Sequence, residues 1–308
     1  MNDDRWAFPP QPPAWPAPTT TPPKRGSRTL ALIALFVATG VVAAGVGVGG
    51  VLLVRHFQGS QPGATSPTAT PVTSSSAAEA RALYQQAKTA TGAATGFHYV
   101  GVATGAETQT IVGDAGQSNG RQAITQSSFY GTEQFTLFLV GSTVYFQGNL
   151  PALQDQLGVT AATAPAFVGK WISLSSGNGP YTNLEEGITT SSQATQMPLT
   201  AQSTSKATAA GGVAATRIAG IVPPANGLPA GTGSLEIAPA TDLPITYSST
   251  VSEGTAVFNF STTFSNWGTA PSVSAPSGAA TWSTLKTAVP PGGYGRGGVP
   301  STATPGAI

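Results

Sequence analysis

The chain has 308 residues, of which only 8% are charged, with 38 Gly, 26 Pro, no Cys, two His and a net charge of +1. Without cysteine it builds no disulfide framework, thiolate nucleophile or Cys-based metal site. Residues 1–56 carry 5 Lys and Arg against 2 Asp and Glu and residues 57–308 carry 8 against 10, so the larger part, at 8 − 10 = −2, has no basic footprint for nucleic acid.

The head, residues 1–28, mixes proline with Trp6, Phe8 and Trp15. Proline denies it a helix and its sparse apolar content denies it a core, so a disordered cytoplasmic tail of polyproline-II character is expected. Its PPQPP run has the form of a docking motif for a cytoplasmic proline-binding partner, and a tail that is simply soluble explains it equally well.

Residues 29–54, TLALIALFVATGVVAAGVGVGGVLLV, hold no charged side chain. As a helix this run would extend about 39 Å, enough to cross a hydrocarbon core of about 30 Å with some tilt. A cleaved signal peptide has an apolar region of only about 7 to 15 residues close to the N-terminus, so this longer and later run is expected to stay as a transmembrane helix. Lys24, Arg25 and Arg28 precede it and only Arg55 and His56 follow it closely. With that span, the positive-inside rule leads one to expect a single-pass protein of the cell membrane, with its N-terminus cytoplasmic and its main domain extracytoplasmic.

Residues 55–76 form a Ser/Thr/Pro stalk that cannot pack a core, and an ordered domain is expected over 77–288. It opens with a capping box, Ser76 to Glu79, followed by Ala80, Leu83, Tyr84 and Ala87 at helical spacing up to about Thr91. From Phe97 the period is nearer two. About nine strands are predicted: 97–104, 120–129, 133–141, 143–149, 170–176, 214–222, 233–239, 244–251 and 255–267. Most connections are of hairpin length, which favours an antiparallel meander. Helical stretches are predicted at 151–158 and 182–197, too few for alternating βα units, so the class is α+β with helices segregated to one side of a large sheet. Residues 289–308 are Gly/Pro-rich and expected to be disordered.

Support for catalysis is thin, and the chain is read as a non-enzyme without cofactor or metal. His98 is the only histidine of the domain, and its place at the second position of a strand suits a solvent-facing or hydrogen-bonded ring. Gly45, Gly47 and Gly50 match a dinucleotide-loop spacing only inside the apolar run, and Gly293, Gly295 and Gly298 only in the tail. Ser203 with Lys206, and Ser283 with Lys286, match S-x-x-K without the companion elements of penicillin-binding enzymes. What remains is apolar: Phe135, Leu137 and Leu139 alternate with Phe138 and Val140, giving that strand two hydrophobic faces, and Val144, Tyr145 and Phe146 repeat the pattern. Such strands fit either a buried centre packed under helices or a strongly curved sheet enclosing a cavity for an apolar ligand.

The runs FTLFLVGSTVYFQGNLPALQDQLG, FVGKWISLSS, GSLEIAPATDLPITYSS and FNFSTTFSNWGTAPSVSAP resemble the LppX/LprG-type cell-envelope proteins of actinobacteria, relatives of the LolA lipoprotein carriers, over roughly residues 77–277. The resemblance implies a strongly bent antiparallel half-barrel with helices across its concave side, carrying a lipid or glycolipid between sheet and helices. Carried across position by position, the implied ligand-binding residues are Phe135, Leu137, Leu139, Tyr145, Trp171, Phe258, Phe260 and Trp267. Family members are often tethered through a lipidated cysteine; this chain has none, and the apolar run would replace that anchor. The functional expectation is lipid binding or transfer in the envelope, with a non-carrier sensor or scaffold of the same fold as the alternative.

Overall fold

A computed structural model describes residues 76–286, apart from Ala106, Phe129, Asn226 and Gly227. The expected tail 1–28, membrane span 29–54, stalk up to residue 75 and tail 289–308 lie outside the described residues. Among the described residues no helix is long and apolar enough to cross a membrane.

Twelve strands join into one sheet. In chain order they are β1 (Gly96–Thr104), β2 (Thr108–Gly116), β3 (Asn119–Ser128), β4 (Gly131–Val140), β5 (Thr143–Gly148), β6 (Ile172–Ser175), β7 (Thr200–Ala209), β8 (Val213–Val222), β9 (Gly231–Ile237), β10 (Pro244–Glu253), β11 (Ala256–Ser265) and β12 (Ala280–Thr281). The spatial order is β12-β6-β5-β4-β3-β2-β1-β11-β10-β9-β8-β7. Two antiparallel meanders, β1 to β6 and β7 to β11, thus meet where β1 pairs with β11, through Tyr99↔Phe264 and Ala103↔Phe260. Only the short β12, beside β6, runs parallel to its neighbour.

Among the described residues five α-helices accompany the sheet: α1 (Ala77–Ala93), α2 (Leu150–Leu157), α3 (Tyr181–Glu185), α4 (Thr190–Thr195) and α5 (Trp282–Lys286). The first begins at the predicted capping box, where Ser76 Oγ accepts from Glu79 N at 3.2 Å and Glu79 Oε2 accepts from Ser76 N at 2.8 Å. Its buried stripe, Ala80, Tyr84, Ala87 and Thr91, follows the helical period. The single helix predicted over 182–197 is instead two. Gly187, at φ +77°, takes a left-handed conformation that breaks the helical run, and Thr189 caps a new start by accepting from Ser192 N at 3.1 Å.

Every strand from β1 to β6 alternates buried with less buried positions, and the buried sides fall into one cluster with α1, α2 and α3. α1 packs on α4, β7 and β8, α2 on β4 and β5, and α4 also on β2. The helices therefore cover one face of the sheet, as expected of an α+β fold of this kind, and the other face remains open.

Candidate functional site

The covered face is apolar over β4 to β6, near one end of the sheet, and again at the central β1–β11 join. Phe135, Leu137 and Leu139, on β4, are 4%, 2% and 3% exposed. Leu137 lies opposite Phe146 and that residue opposite Ile172; Leu139 lies opposite Val144 and that one opposite Leu174. The Phe135 and Phe146 rings stack at 5.4 Å. Across the β1–β11 join, Phe97 meets Trp267 at 4.2 Å and Phe264 at 5.7 Å, and Tyr247 meets Phe260 at 6.1 Å. Phe258 belongs to a separate small cluster with Leu228 and Val251. Between the two clusters lies a cavity of about 20 Å³ bordered by Ala103, Val251, Phe258 and Phe260.

Of the eight residues the sequence singled out, Phe135, Leu137, Leu139, Phe260 and Trp267 thus pack into one core, with Phe258 on the same face beyond it. Tyr145 and Trp171 are placed on the open face. Tyr145 alternates with the buried Val144 and Phe146 and pairs across the strands with Phe138, whose ring meets Trp171 at 4.7 Å.

Three buried tyrosines, two of them not anticipated in any role, fasten the helical layer. Tyr84 of α1 donates to Met197 O at 2.5 Å, Tyr99 of β1 to Gly187 O at 2.9 Å and Tyr247 of β10 to Pro198 O at 2.9 Å. All three acceptors lie in the segment 187–198 that contains α4. Burial pushes the Tyr84 hydroxyl up to about 12, against a smaller downward pull from the Leu199 N–H, and pushes the hydroxyls of Tyr99 and Tyr247 upward as well. The phenols stay neutral, as donors to carbonyls must.

A polar ladder interrupts the apolar lining on β2, β3 and β4. Gln109 Nε2 donates to Gln126 Oε1 at 2.5 Å, Gln126 Nε2 to Glu133 Oε2 at 2.7 Å and Gln156 Nε2, from α2, to the same oxygen at 2.9 Å. Glu133 is wholly buried, and its Oε1 has no hydrogen-bond partner among the described residues.

The open face carries a charged cluster at His98. Its Nδ1 is 2.7 Å from Asp114 Oδ1, and Arg121 Nε is 2.6 Å from Asp114 Oδ2. Burial alone would raise the Asp114 carboxyl; hydrogen bonds from His98 and Arg121, together with the Arg121 charge, outweigh it and hold the carboxyl below its ordinary value. Ser203 and Lys206 lie on β7, three residues apart, which puts them on opposite faces of a strand. No group of three or more His, Cys, Asp or Glu side chains that could hold a metal occurs among the described residues.

No protein-family model matches the chain, and comparison with curated proteins finds no relative. Among solved structures it is similar to the lipoprotein LppX of Mycobacterium tuberculosis, at 16% identity and a TM-score of 0.40 over 64% of this chain and 99% of that one. It is likewise similar to LprF from Mycobacterium bovis, at 17% identity and a TM-score of 0.38 over 66% and 98%, and to the hypothetical protein CT021 from Chlamydia trachomatis, at 11% identity and a TM-score of 0.27 over 67% and 98%.

Proposed function

We propose that the protein binds or hands over a lipid or other apolar molecule in the cell envelope, held outside the membrane by the span at 29–54 with its sheet bent into a half-barrel around the ligand. The observation that carries this is the construction of the covered face. A wide apolar sheet is roofed by α1 and by the short α2, α3 and α4, and the segment 187–198 is held by three tyrosine-to-carbonyl hydrogen bonds. The short helices of such a roof can part from the sheet without melting a long helix. The seam at Ala103, Val251, Phe258 and Phe260, about 20 Å³ in volume, is far below the roughly 300 Å³ a ligand pocket requires. Side chains of the chain itself therefore fill the covered face, and a ligand would enter by displacing the roof.

The same filling supports a second function, a sensor or scaffold whose core is never vacated. Mass spectrometry of lipids retained by the washed full chain separates the two. A carrier retains a restricted lipid class enriched over the surrounding membrane; a scaffold retains a profile that copies the membrane.

A further inference from the structure

A recess of about 760 Å³ opens at the opposite end of the sheet from the β7 edge, and the apolar-ligand function does not use it. Its floor is built by register. Thr143 pairs with Ser175 and Tyr145 with Ser173, while Thr281 of β12 runs alongside Ser173, so five hydroxyl side chains form two adjacent rows on the open face of β5, β6 and β12. Asn178, in the turn after β6, closes one side, and the segment from Pro276 to Ser283 closes the other.

Two features define what such a recess takes. First, none of its lining residues carries a charge, so it offers no electrostatic complement to a phosphate, a carboxylate or an amine. Second, its hydrogen-bonding capacity is only partly spent inside the protein. Asn178 uses its Oδ1 to accept from Ser175 N at 2.8 Å, which leaves its Nδ2 donor over. The hydroxyls of Thr143 and Tyr145 make no side-chain hydrogen bond among the described residues. The Tyr145 ring, backed by Phe138 and Trp171, adds a half-buried aromatic surface beside those hydroxyls. Neutral hydroxyl and amide groups set against an aromatic ring match a molecule with C–H faces and many hydroxyls and no charge. We infer that this recess binds a neutral saccharide. The same chemistry is presented by the headgroup of a neutral glycolipid and by a free polysaccharide strand. The inference is independent of the apolar site on the other face.

The test measures binding of neutral tetrasaccharides (maltotetraose, mannotetraose) and an acidic tetragalacturonate to the full chain by calorimetry and saturation-transfer NMR. The neutral sugars are expected to bind and the acidic one to bind more weakly. Asn178→Ala and Tyr145→Ala should each weaken binding about tenfold, while Tyr145→Phe, which keeps the ring, should lose less. The nearly isosteric Thr143→Val removes one hydroxyl with little volume change and should weaken binding while leaving the unfolding transition in place. Phosphatidylcholine vesicles with and without a neutral glycosyl diacylglycerol identify the source. Glycolipid-dependent binding displaced by free tetrasaccharide assigns a headgroup, and binding of free sugar without it assigns a polysaccharide. Absence of neutral-sugar binding, preference for the acidic sugar, or affinity unchanged in all the variants would overturn the inference.

Discussion

The Tyr84 hydroxyl donates to Met197 O at 2.5 Å and accepts from Leu199 N at 3.2 Å, so one side chain of the first helix joins both sides of the bend that leads from α4 into β7. Tyr99 and Tyr247 hold the same segment from the sheet at Gly187 and Pro198.

Tyr84→Phe removes both bonds and leaves a buried carbonyl and N–H unpaired. It should lower unfolding free energy by about 1 to 3 kcal/mol in urea titrations. The Tyr84 hydroxyl is raised to about 12 in the folded chain, so its contribution is complete below the ordinary value of about 10 and vanishes as pH rises through the folded value. The gap between wild type and variant should therefore narrow between those two limits. A constant gap would mean that the phenol is not the source.

Gly113→Ala probes the same fastening from beneath. Gly113 faces Tyr99 across the β1–β2 pair, and a methyl group there would fall inside the Tyr99 ring. The ring must shift from Gly187, at a cost of about 1 to 3 kcal/mol from overpacking. Hydrogen exchange should report earlier opening of 187–198; unchanged protection there would contradict the proposed fastening.

At acid pH the outer cluster dominates. The Asp114 carboxyl titrates lower in the folded chain than in the unfolded one, so its stabilisation is complete above the ordinary value of about 3.9 and is lost as pH falls through the lower folded value. Asp114→Asn should be less stable than wild type near neutrality, and the two should converge on acidification. Denaturant midpoints across the acid range measure this.

Glu133→Gln tests the polar ladder. It keeps an oxygen for the Gln126 and Gln156 amides and removes a buried carboxylate whose Oε1 lacks a partner. Stability should hold or rise by up to about 1 kcal/mol. A large loss would place an unrecognised donor on Oε1.

Much of this architecture is legible in the residues, and the exceptions have physical causes. The capping box marked the start of α1, and short runs rich in β-branched and aromatic residues, bounded by turn residues, located β4, β5, β10 and β11. β2 escaped notice because Gln109, Gly113 and Ala115 stand on its buried side, where large apolar residues would have marked the period. β7, TAQSTSKATA, is an edge strand of small and polar residues and gives almost no hydrophobic signal. Among the candidate site residues, spacing put Phe135, Leu137 and Leu139 on one face. It could not say which face of β5 the helices would cover, and so could not separate Tyr145 from Phe146. The structural tyrosines read as ordinary strand and helix positions because their partners are backbone groups some 50 to 115 residues away.

The most direct test of the central claim is photo-crosslinking of the full chain in cells fed a clickable diazirine fatty acid, with the labelled peptides identified by mass spectrometry. A lipid carried between sheet and helices should label peptides containing Phe258, Phe260 and Phe135, and labelling there should increase in Tyr84→Phe as the roof loosens. Labelling confined to residues 29–54 would contradict lipid binding by the sheet and leave the scaffold function in its place.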